Sequence, residues 1–182
     1  NTKKQLIQTT IFLILVVIIF FVARSFKTNA QNNNNGQNQE VEKEEPKPVY
    51  ETQLGDIKIT LTSSENLGDT LKAPSTFQKD FKTTETFIRI VIGAQNMGKQ
   101  TIGQGSWDLG KLIDSEGRVF DTIGNNAYSY VPQPNPCGAA LKPAFTPTAC
   151  TKIYEVSKQS KNFKVEVASE GKIELLDLKL IP

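Results

Sequence analysis

Hydrophobic positions along the chain fall into two unlike patterns. Residues 6–23, LIQTTIFLILVVIIFFVA, form an uncharged run of 18 residues that is wholly apolar from Ile11 onward. At 1.5 Å per residue, a helix over this run would be roughly 27 Å long, close to the ~30 Å hydrocarbon core of a bilayer. The run contains no Pro and no Gly, so each backbone polar group can be satisfied inside one helix, as lipid requires. From Val49 onward the pattern changes to short alternating or continuous apolar segments separated by turn residues, which is the signature of strands. Residues 56–62 alternate strictly, with Ile57, Ile59 and Leu61 on one face, and residues 86–94 (TFIRIVIGA) read as a central strand buried on both sides. Residues 107–113 and 118–122 flank Asp114-Ser-Glu-Gly117, which predicts a tight hairpin with Gly117 at positive φ. Residues 152–156, 163–167 and 173–180 complete the strands, and residues 64–70 alone allow a helical turn. Seven or eight short strands at such spacing predict an all-β domain, an antiparallel β-sandwich.

The long apolar run has two other readings, a cleaved secretory signal and a buried or assembling helix. A signal would carry an apolar core of about 7–15 residues and a small-residue cleavage site, whereas Thr28-Asn29-Ala30 matches such a site poorly. Length favours a membrane span. Lys3 and Lys4 precede the run and Arg24 and Lys27 follow it, so basic residues leave the orientation nearly balanced. The expected organisation is therefore a transmembrane anchor with basic flanks at 1–27, a flexible linker at 28–48 and a β-sandwich at 49–182.

Charge changes this picture little. The net charge of +2 arises in the anchor, and residues 51–182 carry 15 charges of each sign. A neutral domain argues against binding nucleic acid through phosphates. The linker, with NNNNGQNQ followed by EVEKEEPKP, has almost no apolar residue to offset the entropy of ordering. As a flexible tether it would hold the domain roughly 25–30 Å from the membrane.

The order of motifs resembles a known family. GDIKITLT is followed by TFIRIVIGAQNMGK, then by WDLGKLIDSEGRVFD, then by LKP, TKIYEVSK and FKVEV. Over roughly residues 49–181 this resembles the telokin-like, immunoglobulin-fold domain of unknown function found on bacterial and archaeal surface proteins and lipoproteins. The resemblance implies an immunoglobulin-like β-sandwich outside a membrane, and it brings no catalytic residues. The chain departs from the pattern at Lys142-Pro-Ala-Phe-Thr-Pro147, where relatives usually carry Pro-Gly-Glu, and it has no lipidation cysteine near its start.

Cys137 and Cys150 are the two cysteines, both within the Pro-rich stretch VPQPNPCGAALKPAFTPTAC. An even count in a chain placed outside a membrane favours a disulfide. With no histidine anywhere, two thiolates fall short of a zinc site. The disulfide in turn places the domain on the oxidising side of the membrane, extracellular or periplasmic, with the N-terminus cytoplasmic. The missing histidine also removes Ser-His-Asp and Cys-His catalysis. Asp108, Asp114 and Asp121 surround the Gly-containing turn, where a solvated turn outweighs calcium binding or acid–base work. Trp107, Phe87, Phe120, Tyr154 and Phe163 are core candidates by strand alternation.

Tyr128, Tyr130, Pro132 and Pro134 mark a long aromatic, Pro-rich loop of the kind that carries contacts on β-sandwiches. A long edge connection is the plainer account of the same stretch. Taken together, the residues predict a non-catalytic interaction module on a cell surface, anchored by residues 6–23. Its expected partner is another protein or a surface assembly, with a homo-oligomer allowed, and no cofactor, metal or nucleic acid is expected. The alternative is a structural subunit of a surface assembly or pilin-like filament built through the N-terminal helix. Lys3, Lys4 and the polar linker fit that plan less well.

Overall fold

The computed structural model describes residues 47–181. The expected span at 6–23, and all but the end of the expected linker, lie outside the described residues. Among the described residues no helix is long and apolar enough to cross a membrane.

The domain is all-β, an antiparallel sandwich of two sheets. One sheet runs β1 (Glu51–Leu54), β2 (Ile57–Leu71), β3 (Phe81–Asn96) and β6 (Thr148–Val156) in that order, and β9 (Leu180–Ile181) pairs in parallel with β2. The other runs β5 (Val119–Phe120), β4 (Trp107–Ile113), β7 (Lys164–Ser169) and β8 (Lys172–Asp177). Ile57, Ile59, Ile88, Ile90, Ile92, Tyr154 and Val156 face Trp107, Leu109, Leu112, Val165, Val167 and Leu176 across the gap. Every one of these side chains is buried, each contributing on the order of 1.5–3 kcal/mol relative to exposure. The expected inward aromatics are there too: Trp107, Tyr154 and Phe163 are core residues, and the Phe120 ring meets Phe163 edge-on at 6.3 Å.

Phe87 is the exception, because it lies on the opposite face of β3 from Ile88. There it forms a second apolar cluster with Ile153, Leu71 and Ala127, against which Phe81, Tyr130 and Val131 pack. The central strand is thus covered on both faces at its Phe87 end, while Arg89 and Val91 remain half-buried.

The structure corrects the expected helical turn at 64–70. β2 runs straight through it, paired with β3 and interrupted by register shifts between Leu61 and Ser63 and around Gly68. The ladder to β3 supplies partners for Ser64, Glu65, Asn66, Gly68 and Thr70, which a single helical turn cannot, and Asn66 Oδ1 accepts the Gly68 N–H at 2.9 Å to hold the irregularity. A further irregularity, between Leu109 and Leu112 of β4, is satisfied from both sides. Lys152 Nζ donates to the Leu109 carbonyl at 2.7 Å and the Tyr154 hydroxyl to the Gly110 carbonyl at 2.8 Å. Glu166 accepts the Lys111 N–H at 3.0 Å. Burial pushes the Tyr154 hydroxyl well above the usual phenol range, helped by nearby Asp108, Glu166 and Asp121, so it serves here as a donor.

The hairpin after β4 forms as expected, with Gly117 at φ 77°. Its Asp114, however, is buried rather than solvated. The carboxylate accepts the N–H groups of Glu116 (3.0 Å) and Arg118 (2.9 Å) and the Arg118 Nε (2.6 Å). Burial works against ionisation, but the neighbouring Ser160 hydroxyl, the Arg118 guanidinium and the two N–H groups outweigh it and hold the carboxyl down at about 2. A carboxylate so fully engaged is a structural tie for the hairpin.

Candidate functional site

Residues 121–147 connect β5 to β6 and contain the candidate site residues Tyr128, Tyr130, Pro132, Pro134 and Cys137, while Cys150 lies in β6 itself. The stretch forms a 3-10 helix, Gly124–Tyr130, which packs its buried Ala127 onto the outer face of the first sheet. The chain then turns past the edge of β6. Asn135 replaces a neighbouring strand there: its Nδ2 donates to the Thr151 carbonyl at 2.8 Å and its Oδ1 accepts the Thr151 N–H at 2.9 Å. Two residues on, Cys137 is bonded to Cys150 of β6, with Cα atoms 4.6 Å apart. Gly138 lies at φ 69°, where an added Cβ would meet the Trp107 carbonyl at 3.3 Å. Only glycine lets the chain pass so close in that conformation. The Ala139 carbonyl accepts the Trp107 Nε1–H at 2.8 Å, and Leu141 enters the core.

The arrangement leaves a groove of about 320 Å³ between the 3-10 helix and β6, lined in part by Asn125, Tyr128, Gln133, Asn135, Thr151 and Lys152. Gln133 Nε2 donates to the Tyr128 carbonyl at 3.0 Å, closing one wall. The Lys152 ammonium is neutralised by Asp108 at 2.7 Å, so the lining presents amides, hydroxyls, one phenol ring and the aliphatic side chains of Ala127, Val131 and Ile153. Such a surface can hold a ligand by packing and uncharged hydrogen bonds. The Asp108 carboxylate also lies near both sulfurs. Because these are bonded to each other, they offer no thiolate for a metal.

The two tyrosines are placed differently. Tyr128 is 68 % exposed. Tyr130 is half-buried, its ring 6.2 Å from Phe81 and its hydroxyl donating to the Lys79 carbonyl at 2.7 Å. Pro132 and Pro134 are exposed, and the Gln133–Pro134 peptide is cis. Sequence reasoning missed Phe77, in the β2–β3 connection, which is 97 % exposed. Its neighbour Gln78 donates to the Ser129 hydroxyl at 2.8 Å, so Phe77 and Tyr128 flank one contact between two loops. A lone aromatic within the turn-rich run Ala73-Pro-Ser-Thr-Phe77-Gln was the available signal.

The chain matches no family model and no curated protein in sequence. Two solved structures are similar to it. A conserved hypothetical protein from Bacillus anthracis is 14 % identical, with a TM-score of 0.50 over 71 % of this chain and 92 % of that one. An uncharacterized β-sandwich protein from Clostridium difficile 630 is 12 % identical, with a TM-score of 0.45 over 82 % of this chain and all of that one. At such identity, the Bacillus anthracis likeness is one of fold.

Proposed function

We propose that this chain is a non-catalytic binding module, an immunoglobulin-like sandwich of telokin type displayed outside a membrane by the apolar segment 6–23. Its partner is another protein, met by the groove beside β6 and by the aromatic tip formed by Phe77 and Tyr128. The observation that carries this reading is the braced loop itself. An exposed phenol, Tyr128, stands on a connection tied down by a disulfide, by Asn135 and by Trp107, and the exposed ring of Phe77 stands on the β2–β3 connection, which Gln78 joins to it at Ser129. Large apolar rings held rigidly in water lose little entropy when a partner covers them. The disulfide supports an oxidising compartment. The test is a photo-reactive phenylalanine analogue placed at position 128 or 77 in the full chain on intact cells. One discrete protein adduct is expected at both positions, lost on Asn125→Ala with Gln133→Ala, and absent when the analogue replaces exposed Val119. No adduct, or the same adduct at Val119, rejects the reading.

A further inference from the structure

The outer edge of β8 is chemically unfinished. Asp177, at its end, donates its N–H to the Val49 carbonyl at 2.7 Å, while the side facing β7 carries the regular ladder. Backbone direction alternates along a strand, so the N–H and C=O groups of Ile173 and Leu175 also point away from β7. Among the described residues no strand pairs with them. Their side chains share the outer face of the sheet and are 60 % and 40 % exposed. A short edge with free backbone groups and exposed branched residues is a template for another strand.

We propose that β8 pairs antiparallel with β8 of a second copy of this chain, joining the two four-stranded sheets into one. Charge selects that occupant. Directly opposed residues in an antiparallel pair lie on the same face. Setting Ile173 opposite its own counterpart therefore sets Lys172 opposite Glu174 of the second copy, and Glu174 opposite Lys172. The strand Lys172-Ile173-Glu174 is self-complementary about a two-fold axis through Ile173, which is the form an isologous interface takes. Lys172 and Glu174 are both exposed, free to make the pair without leaving the core. This contact is separate from the loop surface of the proposed function and stands or falls without it.

The test uses the full chain in mild detergent. Cys137 and Cys150 are joined, so Ile173→Cys introduces the single free thiol. Mild oxidation should link two copies through it, while Val119→Cys, at the opposite edge of the same sheet, should stay unlinked. Glu174→Lys should lower the linked yield of the Ile173→Cys protein roughly three- to tenfold by opposing like charges, and adding Lys172→Glu should restore it. No link at position 173, as when residues before Lys47 or another protein cover the edge, overturns the proposal. So does equal linking at 119, or a charge reversal without effect.

Discussion

The strands β6 and β8 each sit at the outside of a sheet, yet they are finished in opposite ways. Along β6, Thr122 bridges to Tyr154, the Ile123 N–H donates to the Ile153 carbonyl at 3.0 Å, and Asn135 occupies both backbone groups of Thr151. Along β8, among the described residues, only Asp177 is engaged, and the outer groups of Ile173 and Leu175 meet no other strand there. The sequences explain the difference in need. β6 (TACTKIYEV) is long and buried at five of its nine positions, so an open edge there would template aggregation. β8 is six residues long and carries Lys172 and Glu174, which discourage indiscriminate pairing while permitting a matched one. Much of residues 124–147 is therefore edge closure, and the groove is what remains where closure is incomplete.

The largest expected effect comes from releasing that closure. Cys137→Ser frees the loop from β6 and should cost about 3 kcal/mol in the chain-entropy picture, lowering the melting temperature by roughly 10 °C for a domain of this size. A shift of a degree or two would mean that Asn135 and Trp107 hold the loop unaided. Next comes Asn135→Ala, which leaves the N–H and carbonyl of Thr151 without protein partners. A loss of about 1–3 kcal/mol is expected, with aggregation on heating that the parent lacks, and Asn135→Asp, which keeps the acceptor alone, should fall between. Light scattering during the melt checks both.

Acid probes a part of the molecule that neither edge controls. The Asp114 carboxyl is held at about 2, below its ordinary 3.8, so its stabilisation is present above about pH 4 and lost as pH falls from there towards 2. Asp114→Asn should flatten the acid limb of the stability–pH curve while leaving the effect of Asn135→Ala unchanged. The smallest effect separates the two tyrosines. Tyr128→Ser should change stability by less than about 0.5 kcal/mol yet weaken partner adducts. Tyr130→Ser should cost about 1–2 kcal/mol by uncovering Phe81 and Phe87. Equal melting temperatures for these two variants would break the distinction between an anchored and a presented ring.

The strands were legible because their apolar periodicity is set by local pairing and burial, as at Ile57, Ile59 and the TFIRIVIGA strand. The cysteine pair was legible for the same reason of simple arithmetic. The continuation of β2 through residues 64–70 was not, because Asn66 and Gly68 look like turn residues and only the ladder to β3 turns them into bulges. Asn135 was equally silent: nothing in Pro-Asn-Pro announces a side chain that will stand in for a strand. Asp114 showed its turn but not its burial, which depends on Ser160 and the chain around Lys161 reaching it from far along the sequence. The exposure of Phe77 likewise follows from where the first sheet ends.

The lone tryptophan gives the molecule a built-in gauge. Trp107 is buried in the core, and its indole N–H is bound to Ala139, two residues past the disulfide. Ultraviolet emission from the whole chain therefore arises chiefly from one ring that touches both the core and the loop. Reducing the disulfide in otherwise folded protein should shift that emission to the red before any strand melts, so loosening of the loop and loss of the fold become two separate optical events read from a single natural chromophore.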